Sequence, residues 1–256
     1  MLNRTFSLVV SCLMVVSLSN AADATSIGVK YTDVGPNGTV TLAAGDVAGY
    51  SSYAQANWNN TATNDQLPPV TPITGLKDST GATTTVDISS WTQASGNSWA
   101  MNDVSSPNAV LINAFSDQGP AISFTGLGSE FTTSGYTVVV YYSNNEAPGT
   151  STLSITGSID DSVSRNVTTS SSTYSVVGFV EGTDANTTSQ TNVTVFTGLN
   201  DPSFTLALAF PGVSGSNNNG IAAVQIVSNV IPEPASMALL ALGGAMLVTR
   251  RRGVRA

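Results

Sequence analysis

Between residues 26 and 228 the chain consists of short runs rich in β-branched and aromatic residues, separated by clusters of Gly, Asn, Asp, Ser and Pro. Runs of this kind predict β-strands, and the clusters between them predict turns. In "SFTLALAF" (203–210), Phe and Leu occupy every second position, which places them on one face of a strand. Helical periodicity is almost absent from the same region. The pattern therefore predicts an all-β protein.

Strands are predicted at residues 26–32, 39–43, 84–88, 109–115, 121–127, 136–143, 151–157, 173–182, 192–199, 203–210 and 221–228. Many short strands joined by turns indicate a sandwich or a barrel. The region is about twice as long as an immunoglobulin domain of about 100 residues. We therefore predict one antiparallel, jelly-roll-like β-sandwich over residues 25–230, in which residues 44–83 form loops that wrap one end. Two tandem immunoglobulin-like domains that meet near residues 145–150 are the alternative.

The first 24 residues have the pattern of a signal peptide. Arg4 precedes the apolar run "FSLVVSCLMVVSLS", and small-residue cleavage sites follow at 19–21 and 22–24. Cys12 is the only cysteine, so cleavage after residue 24 leaves a mature chain without a thiol. The letters "VVSC" also resemble a lipoprotein cleavage box, but cleavage before Cys12 would leave a very short apolar region.

The segment "VIPEPASMALLALGGAMLVTRRRGVRA" has three parts: a Pro-Glu-Pro motif, an uncharged apolar run and a cluster of arginines. A helix over residues 235–249 would be about 22 Å long, against a hydrocarbon core of about 30 Å. We predict a short C-terminal transmembrane helix, with Arg250, Arg251 and Arg252 on the cytoplasmic side. Pro232 and Pro234 disfavour helix just before them and hold Glu233 in an extended, accessible peptide.

This tail, residues 231–256, resembles a PEP-CTERM sorting signal, the C-terminal segment of exported bacterial proteins that exosortases process. The matching residues are Pro232, Glu233, Pro234, Arg250, Arg251 and Arg252. The resemblance implies the export machinery and an exosortase-type enzyme as partners. It also implies transient anchoring in the inner membrane, removal of the tail, and delivery to the cell surface or an exopolysaccharide matrix. An ordinary tail anchor is the alternative.

Residues 25–230 carry a second resemblance. The motifs "QANWNN" (55–60), "LKDSTGA" (76–82), "YTVVVYYS" (136–143) and "GIAAVQIV" (220–227) are similar to those of a secreted domain that recurs in PEP-CTERM proteins. That domain has an Asn-Trp-Asn-Asn signature and is similar to galactose-binding-like sandwiches. The resemblance implies a β-sandwich and transfers no catalytic residues.

Charge and composition exclude several functions. Residues 25–230 contain three basic residues (Lys30, Lys77 and Arg165) against fourteen acidic ones, a net charge of 3 − 14 = −11, which would repel nucleic acid. The chain has no histidine, so triads that use an imidazole are excluded. We therefore predict that the protein is not an enzyme. A glycosidase pair drawn from Glu130, Glu146 and Glu181 is the remaining catalytic hypothesis.

We predict no cofactor, with calcium as the one ion to consider. Candidate oxygen ligands are Asp160 with Asp161, Asp184 with Asn186, and Asp33 with Asn37. None has the spacing of a known calcium loop, and ordinary turns explain these residues equally well. No metal site is therefore assigned.

Three tryptophans, Trp58, Trp91 and Trp99, fall within 42 residues. Trp58 lies between Asn57 and the pair Asn59 and Asn60, and an exposed indole flanked by amides is a candidate carbohydrate-binding platform. The alternative is that large aromatic residues fill the core beneath long loops, and we expect this for at least two of the three.

Together these features predict an exported, non-catalytic protein of the cell surface or extracellular matrix, with a structural or adhesive role. The alternative is a carbohydrate-binding module for exopolysaccharide.

Overall fold

The computed structural model describes residues 25–229, except 36–37, 63–66, 94–97, 101–104, 118, 145–148, 158–160, 168–177, 184–189 and 210–218. The strands are β1 (Ser26–Lys30), β2 (Val34–Gly35), β3 (Gly38–Thr39), β4 (Asn59–Asn60), β5 (Asp87–Thr92), β6 (Ser98–Ala100), β7 (Ala114–Asp117), β8 (Ala121–Thr125), β9 (Tyr136–Asn144), β10 (Gly149–Thr156), β11 (Asp161–Val167), β12 (Gln190–Thr191), β13 (Val193–Leu199), β14 (Ser203–Ala209) and β15 (Asn219–Ser228). The helices are a 3₁₀ turn (Ser51–Tyr53), α1 (Pro107–Asn113) and α2 (Ser129–Thr132).

These strands form two large sheets. One has seven strands, in the order β13-β9-β15-β1-β4, and β7 pairs with β15 and with β6. The other has six strands, in the order β12-β11-β10-β14-β8-β5. Pairing is antiparallel except between β1 and β4 and between β11 and β12. The all-β sandwich predicted from the sequence is confirmed. Both sheets combine strands from before and after residues 145–150, which two tandem domains would not do.

The main core lies between the two sheets. Alternate residues of β9 (Val138, Val140 and Tyr142) point into it from the seven-stranded sheet, and Leu206 and Leu208 of β14 enter it from the other. All five side chains are at most 1% exposed. The period-2 pattern that predicted the strands is therefore the pattern that builds this core.

A second apolar layer covers the outer face of the seven-stranded sheet. Val139 and Tyr141, which alternate with the core-facing residues of β9, pack there with Leu111 of α1 and with Trp58. Residues 40–58 thus lie on a face of the sheet, whereas the sequence predicted that residues 44–83 would wrap one end. We call this second cluster the outer layer.

The largest error in the predicted strands is at residues 109–115. Residues Pro107–Asn113 form the helix α1, and only Ala114–Asp117 form a strand. The Ser106 hydroxyl accepts a hydrogen bond from the Ala109 amide at 3.2 Å, and Pro107 occupies the first turn. This start signal was present in the sequence, but a short apolar run does not by its period distinguish a buried helix from a strand.

Smaller differences concern strand ends. The strand predicted at 39–43 ends at Thr39, and β11 was not predicted. Of the run at 173–182, residues 173–177 lie outside the described residues, and Glu181 forms an isolated bridge with Val193. In the part of the chain that the structure describes, no helix is long and apolar enough to cross a membrane. The transmembrane helix predicted at 235–249 lies outside that part.

Candidate functional site: the Asn-Trp-Asn-Asn segment and the sorting tail

Trp58 is buried in the outer layer, with 5% of its surface exposed. Its indole N–H donates to the backbone carbonyls of Ala48 and Gln55, both at 3.1 Å. One face of the ring covers Gly28 of β1, where an added Cβ would lie 2.5 Å from the indole. The edge-to-face contact with Tyr141 has a centroid distance of 5.9 Å. Trp58 therefore fastens the loop of residues 48–58 to the sheet.

The side-chain amides of Asn59 and Asn60 each donate one hydrogen bond to, and accept one from, the backbone of another residue, as the backbone of a neighbouring strand would. The Asn60 amide donates to the Leu42 carbonyl and accepts from the Leu42 amide, both at 2.9 Å. Asn59 forms the same pair with Lys77, at 2.8 and 2.9 Å, and also donates to Gly28 at 2.9 Å. Each side chain thus pairs with both the backbone N–H and the backbone C=O of one residue, Leu42 or Lys77, outside the two-residue strand β4.

Asn57 begins the segment in the left-handed region, at φ 55°. Asn tolerates this conformation better than most residues. The Asn57 side chain donates to the Ser79 carbonyl at 2.8 Å, and the Ser79 amide donates in turn to the Ser26 carbonyl at 2.8 Å. The three asparagines therefore join β1 to the segments around residues 42 and 77–79.

These contacts favour packing over ligand stacking for Trp58. Trp91 is buried too, at 3% exposure, and its N–H donates to the Ser116 hydroxyl at 3.2 Å. The side chain of Trp99 lies outside the described part of the structure. Sugar binding by Trp58, Asn57, Asn59 and Asn60 remains a prediction that these contacts do not test.

Lys30 is a buried lysine that the sequence analysis did not single out as a site residue. It is 0% exposed, and its ammonium group donates to the carbonyls of Tyr31 at 2.9 Å and Val40 at 3.2 Å. Burial lowers the pKa of Lys30 to about 7. A lysine at an outward-facing strand position is normally solvated, and this one is buried because the loop that contains Val40 covers the outer face of the sheet.

Of the three carboxylates proposed for catalysis, the two that the structure describes, Glu130 and Glu181, lie apart. The backbone carbonyl of Glu130 in α2 accepts a hydrogen bond from the Ser228 hydroxyl, and Ser228 pairs with Tyr136 of β9. Glu181 forms a bridge with Val193, and Val193 pairs with Tyr141 of β9. Five strand positions, about 17 Å, separate these two places along β9. Glu146 lies outside the described residues.

Most of the candidate calcium ligands lie outside the residues that the structure describes. Asn37, Asp160, Asp184 and Asn186 are not described, and the Asp33 carboxylate accepts a hydrogen bond from the Val34 amide at 2.8 Å. Within the described residues, no three His, Cys, Asp or Glu side chains are grouped so that they could hold a metal ion.

The comparisons with known proteins concern the tail. The chain carries its own protein-sorting motif, which indicates an exported protein that is anchored transiently in a membrane before it reaches the surface. The motif is of the PEP-CTERM type: the family model of the PEP-CTERM protein-sorting motif matches residues 230–252, which include Pro232, Glu233, Pro234, Arg250, Arg251 and Arg252. This match supports processing by an exosortase and covers none of the described residues. No curated protein matches the chain.

Proposed function

We propose that this protein is a non-catalytic component of the cell surface or extracellular matrix, with a structural or adhesive role, released from its membrane anchor by an exosortase. The observation that carries the proposal is the sorting motif at residues 230–252. In this proposal, residues 1–24 are removed as a signal peptide, and residues 235–249 span the inner membrane until the tail is cut.

The architecture of residues 25–230 supports a passive role. Its signature segment is engaged in internal contacts: Trp58, Asn59 and Asn60 each bond to the backbone of neighbouring segments. The absence of histidine removes the usual proton shuttle at neutral pH. We infer a jelly-roll-like sandwich of the galactose-binding-like kind for this region, on the strength of the sequence resemblance.

Mass spectrometry of protein extracted from the cell surface tests the sorting step. We expect a C-terminal peptide that ends near Pro232, Glu233 and Pro234, without the apolar run. A variant with all three residues replaced by Ala should accumulate in the inner membrane with its tail intact, whereas a Lys77→Ala variant should be processed normally. Recovery of intact "RRRGVRA" from the surface fraction of the unaltered protein would contradict the proposal.

A carbohydrate-binding module for exopolysaccharide is the second candidate. The observation that favours it is a group of partly buried aromatic rings, Tyr50, Tyr53 and Phe179, at the edge of the outer layer. Such rings are suited to stacking against sugars.

A further inference from the structure

Three aromatic side chains at the edge of the outer layer are not explained by the sorting motif or by the packing of Trp58. Tyr50, Tyr53 and Phe179 are each only partly buried. The centroids of Tyr50 and Tyr53 are 6.4 Å apart, with 30° between the ring planes. Phe179 meets Tyr50 edge-to-face, at 6.5 Å and 87°. We call these three rings the aromatic platform.

The turn that carries the two tyrosines is fixed by buried side chains of the sheet. The Tyr50 amide donates to the Tyr141 hydroxyl at 2.9 Å, and that hydroxyl donates to Gln225 at 3.0 Å. The Gln225 amide donates to the carbonyl of Tyr53. Both ends of the turn are therefore tied to adjacent strands, β9 and β15, so the rings are held in place before any ligand arrives.

The same turn is held in a strained conformation. Ser51 is exposed and has φ 46°, in the left-handed region that residues other than Gly seldom adopt. Strained backbone persists only where its surroundings impose it, and it is concentrated at ligand sites. Ser51 directly follows Tyr50 and lies two residues before Tyr53, so this conformation belongs to the turn that carries both rings.

The charge around the platform selects among ligands. The Tyr50 hydroxyl donates to the Glu181 carboxylate at 3.0 Å, and this hydrogen bond is the main reason that the pKa of Tyr50 is raised. Among the side chains that the structure describes, the only cations are Lys30, which is buried, and Lys77, which lies beside Asn59. The platform thus offers neutral rings and a carboxylate, which disfavours an anionic ligand.

We propose that the aromatic platform binds a neutral saccharide. The apolar C–H face of a pyranose ring would stack on Tyr50 and Tyr53, and its hydroxyls would form hydrogen bonds at the side where Glu181 lies. The Phe179 ring lies at 87° to Tyr50, so a quaternary ammonium ion is the competing class of ligand that the experiment must separate from a saccharide. The inference rests on the second candidate function and places its site away from Trp58.

Affinity electrophoresis of the full-length chain in detergent tests the proposal. The gels contain dextran, a β-glucan or galactomannan as neutral polysaccharides, or alginate as an acidic one. We expect retardation by at least one neutral polysaccharide and none by alginate. Tyr53→Leu keeps apolar bulk but removes the ring, and it should weaken the interaction by about tenfold. Tyr50→Phe keeps the ring but loses the hydroxyl, and it should weaken it by about threefold.

Tyr136→Phe is the matched control, because it removes a hydroxyl that bonds to the Asp201 carbonyl, away from the platform. It should bind as the unaltered chain does. The proposal is overturned by failure to bind any of the neutral polysaccharides, by unchanged retardation of a folded Tyr53→Leu variant, or by preference for alginate. Displacement of the polysaccharide by millimolar tetramethylammonium would identify a cation site and overturn it too. Surface mass spectrometry is independent of these outcomes, so failure of sugar binding leaves the sorting proposal intact.

Discussion

The two sheets of the sandwich share one core but differ on their other faces. In β9 of the seven-stranded sheet every residue is buried, whereas in β14 of the six-stranded sheet buried and more exposed residues alternate. The difference comes from the outer layer: α1 and residues 40–58 pack on the seven-stranded sheet, and among the described residues no such apolar cluster packs on the outer face of the six-stranded sheet. One sheet is therefore a central layer of the protein, and the other presents Ser, Thr and Ala side chains to solvent.

This difference determines which contacts an outward-facing side chain makes on each sheet. On the seven-stranded sheet such residues include Gly28, which packs against Trp58, and Lys30, whose amino group is buried. They also include Tyr141, whose hydroxyl anchors the turn of the aromatic platform. On the six-stranded sheet they include Ser123 and Thr205, whose hydroxyls bond to each other at 2.9 Å. Alternate residues face outward on both sheets, but on the seven-stranded sheet they make buried contacts, whereas on the six-stranded sheet they form a polar surface. The following predictions test this contrast.

The largest expected effect is the loss of stability when the Trp58 side chain is removed from the outer layer. Trp58→Ala should lower the free energy of unfolding by about 3–5 kcal/mol, the range for truncating a buried large aromatic residue. Urea denaturation followed by circular dichroism measures it. Trp58→Phe is the control, because it keeps an aromatic ring at the site while it loses the two hydrogen bonds of the indole N–H and part of the ring contact, so it should cost less than Trp58→Ala. A Trp58→Ala variant as stable as the unaltered protein would show that the outer layer contributes little.

The second prediction concerns the buried ammonium group. Burial lowers the pKa of Lys30 from 10.5 to about 7. Between these values the unfolded chain binds a proton that the folded chain does not, so stability rises with pH, by about 3 kcal/mol from pH 7 to pH 10. Above about pH 10 it should fall again, because burial raises the pKa values of Tyr136 and Tyr141 and unfolding would release their protons.

Denaturation curves across pH 7 to 11 test this profile. Lys30→Met removes the titrating group while keeping most of its apolar stem, so the rise between pH 7 and pH 10 should disappear. Lys77→Met, at an exposed position, should leave the rise unchanged. A rise that survives in the Lys30→Met variant would assign it to other groups.

The third prediction isolates the asparagine contacts. Asn60→Ala leaves both polar groups of Leu42 without their partner, and it should cost about 1–3 kcal/mol of stability. Asn60→Asp retains the acceptor for the Leu42 amide but places a carboxylate against the Leu42 carbonyl, so it should also destabilise at neutral pH. The measurement is the urea midpoint of each variant. Equal stability of all three proteins would show that water replaces these bonds without cost.

Part of this contrast could be predicted from the sequence. The run "YTVVVYYS" is apolar at consecutive positions, which is typical of a strand buried on both faces, whereas "SFTLALAF" alternates and indicates one exposed face. The outer layer could not be predicted from the sequence. Asn60 is hydrogen-bonded to Leu42, 18 residues earlier in the chain, and no periodic pattern in the sequence indicates this contact. For the same reason the sequence does not indicate that Lys30 is buried or that Tyr50 and Tyr53 lie close together.

The smallest expected effect is on the uncovered sheet. Ser154 points outward from β10, between the core residues Leu153 and Ile155, and its hydroxyl makes only a 3.5 Å bond to the Ala207 carbonyl. Ser154→Ala should therefore change stability by less than about 0.5 kcal/mol. Gly28 is the matching outward position of the covered sheet, where an added methyl group would meet the indole of Trp58 at 2.5 Å. Gly28→Ala should cost about 1–3 kcal/mol because the ring must move. Thermal midpoints of the two variants give the comparison directly. If Ser154→Ala is as costly as Gly28→Ala, the outer face of the six-stranded sheet is not a plain solvated surface, and a partner or a second layer must cover it.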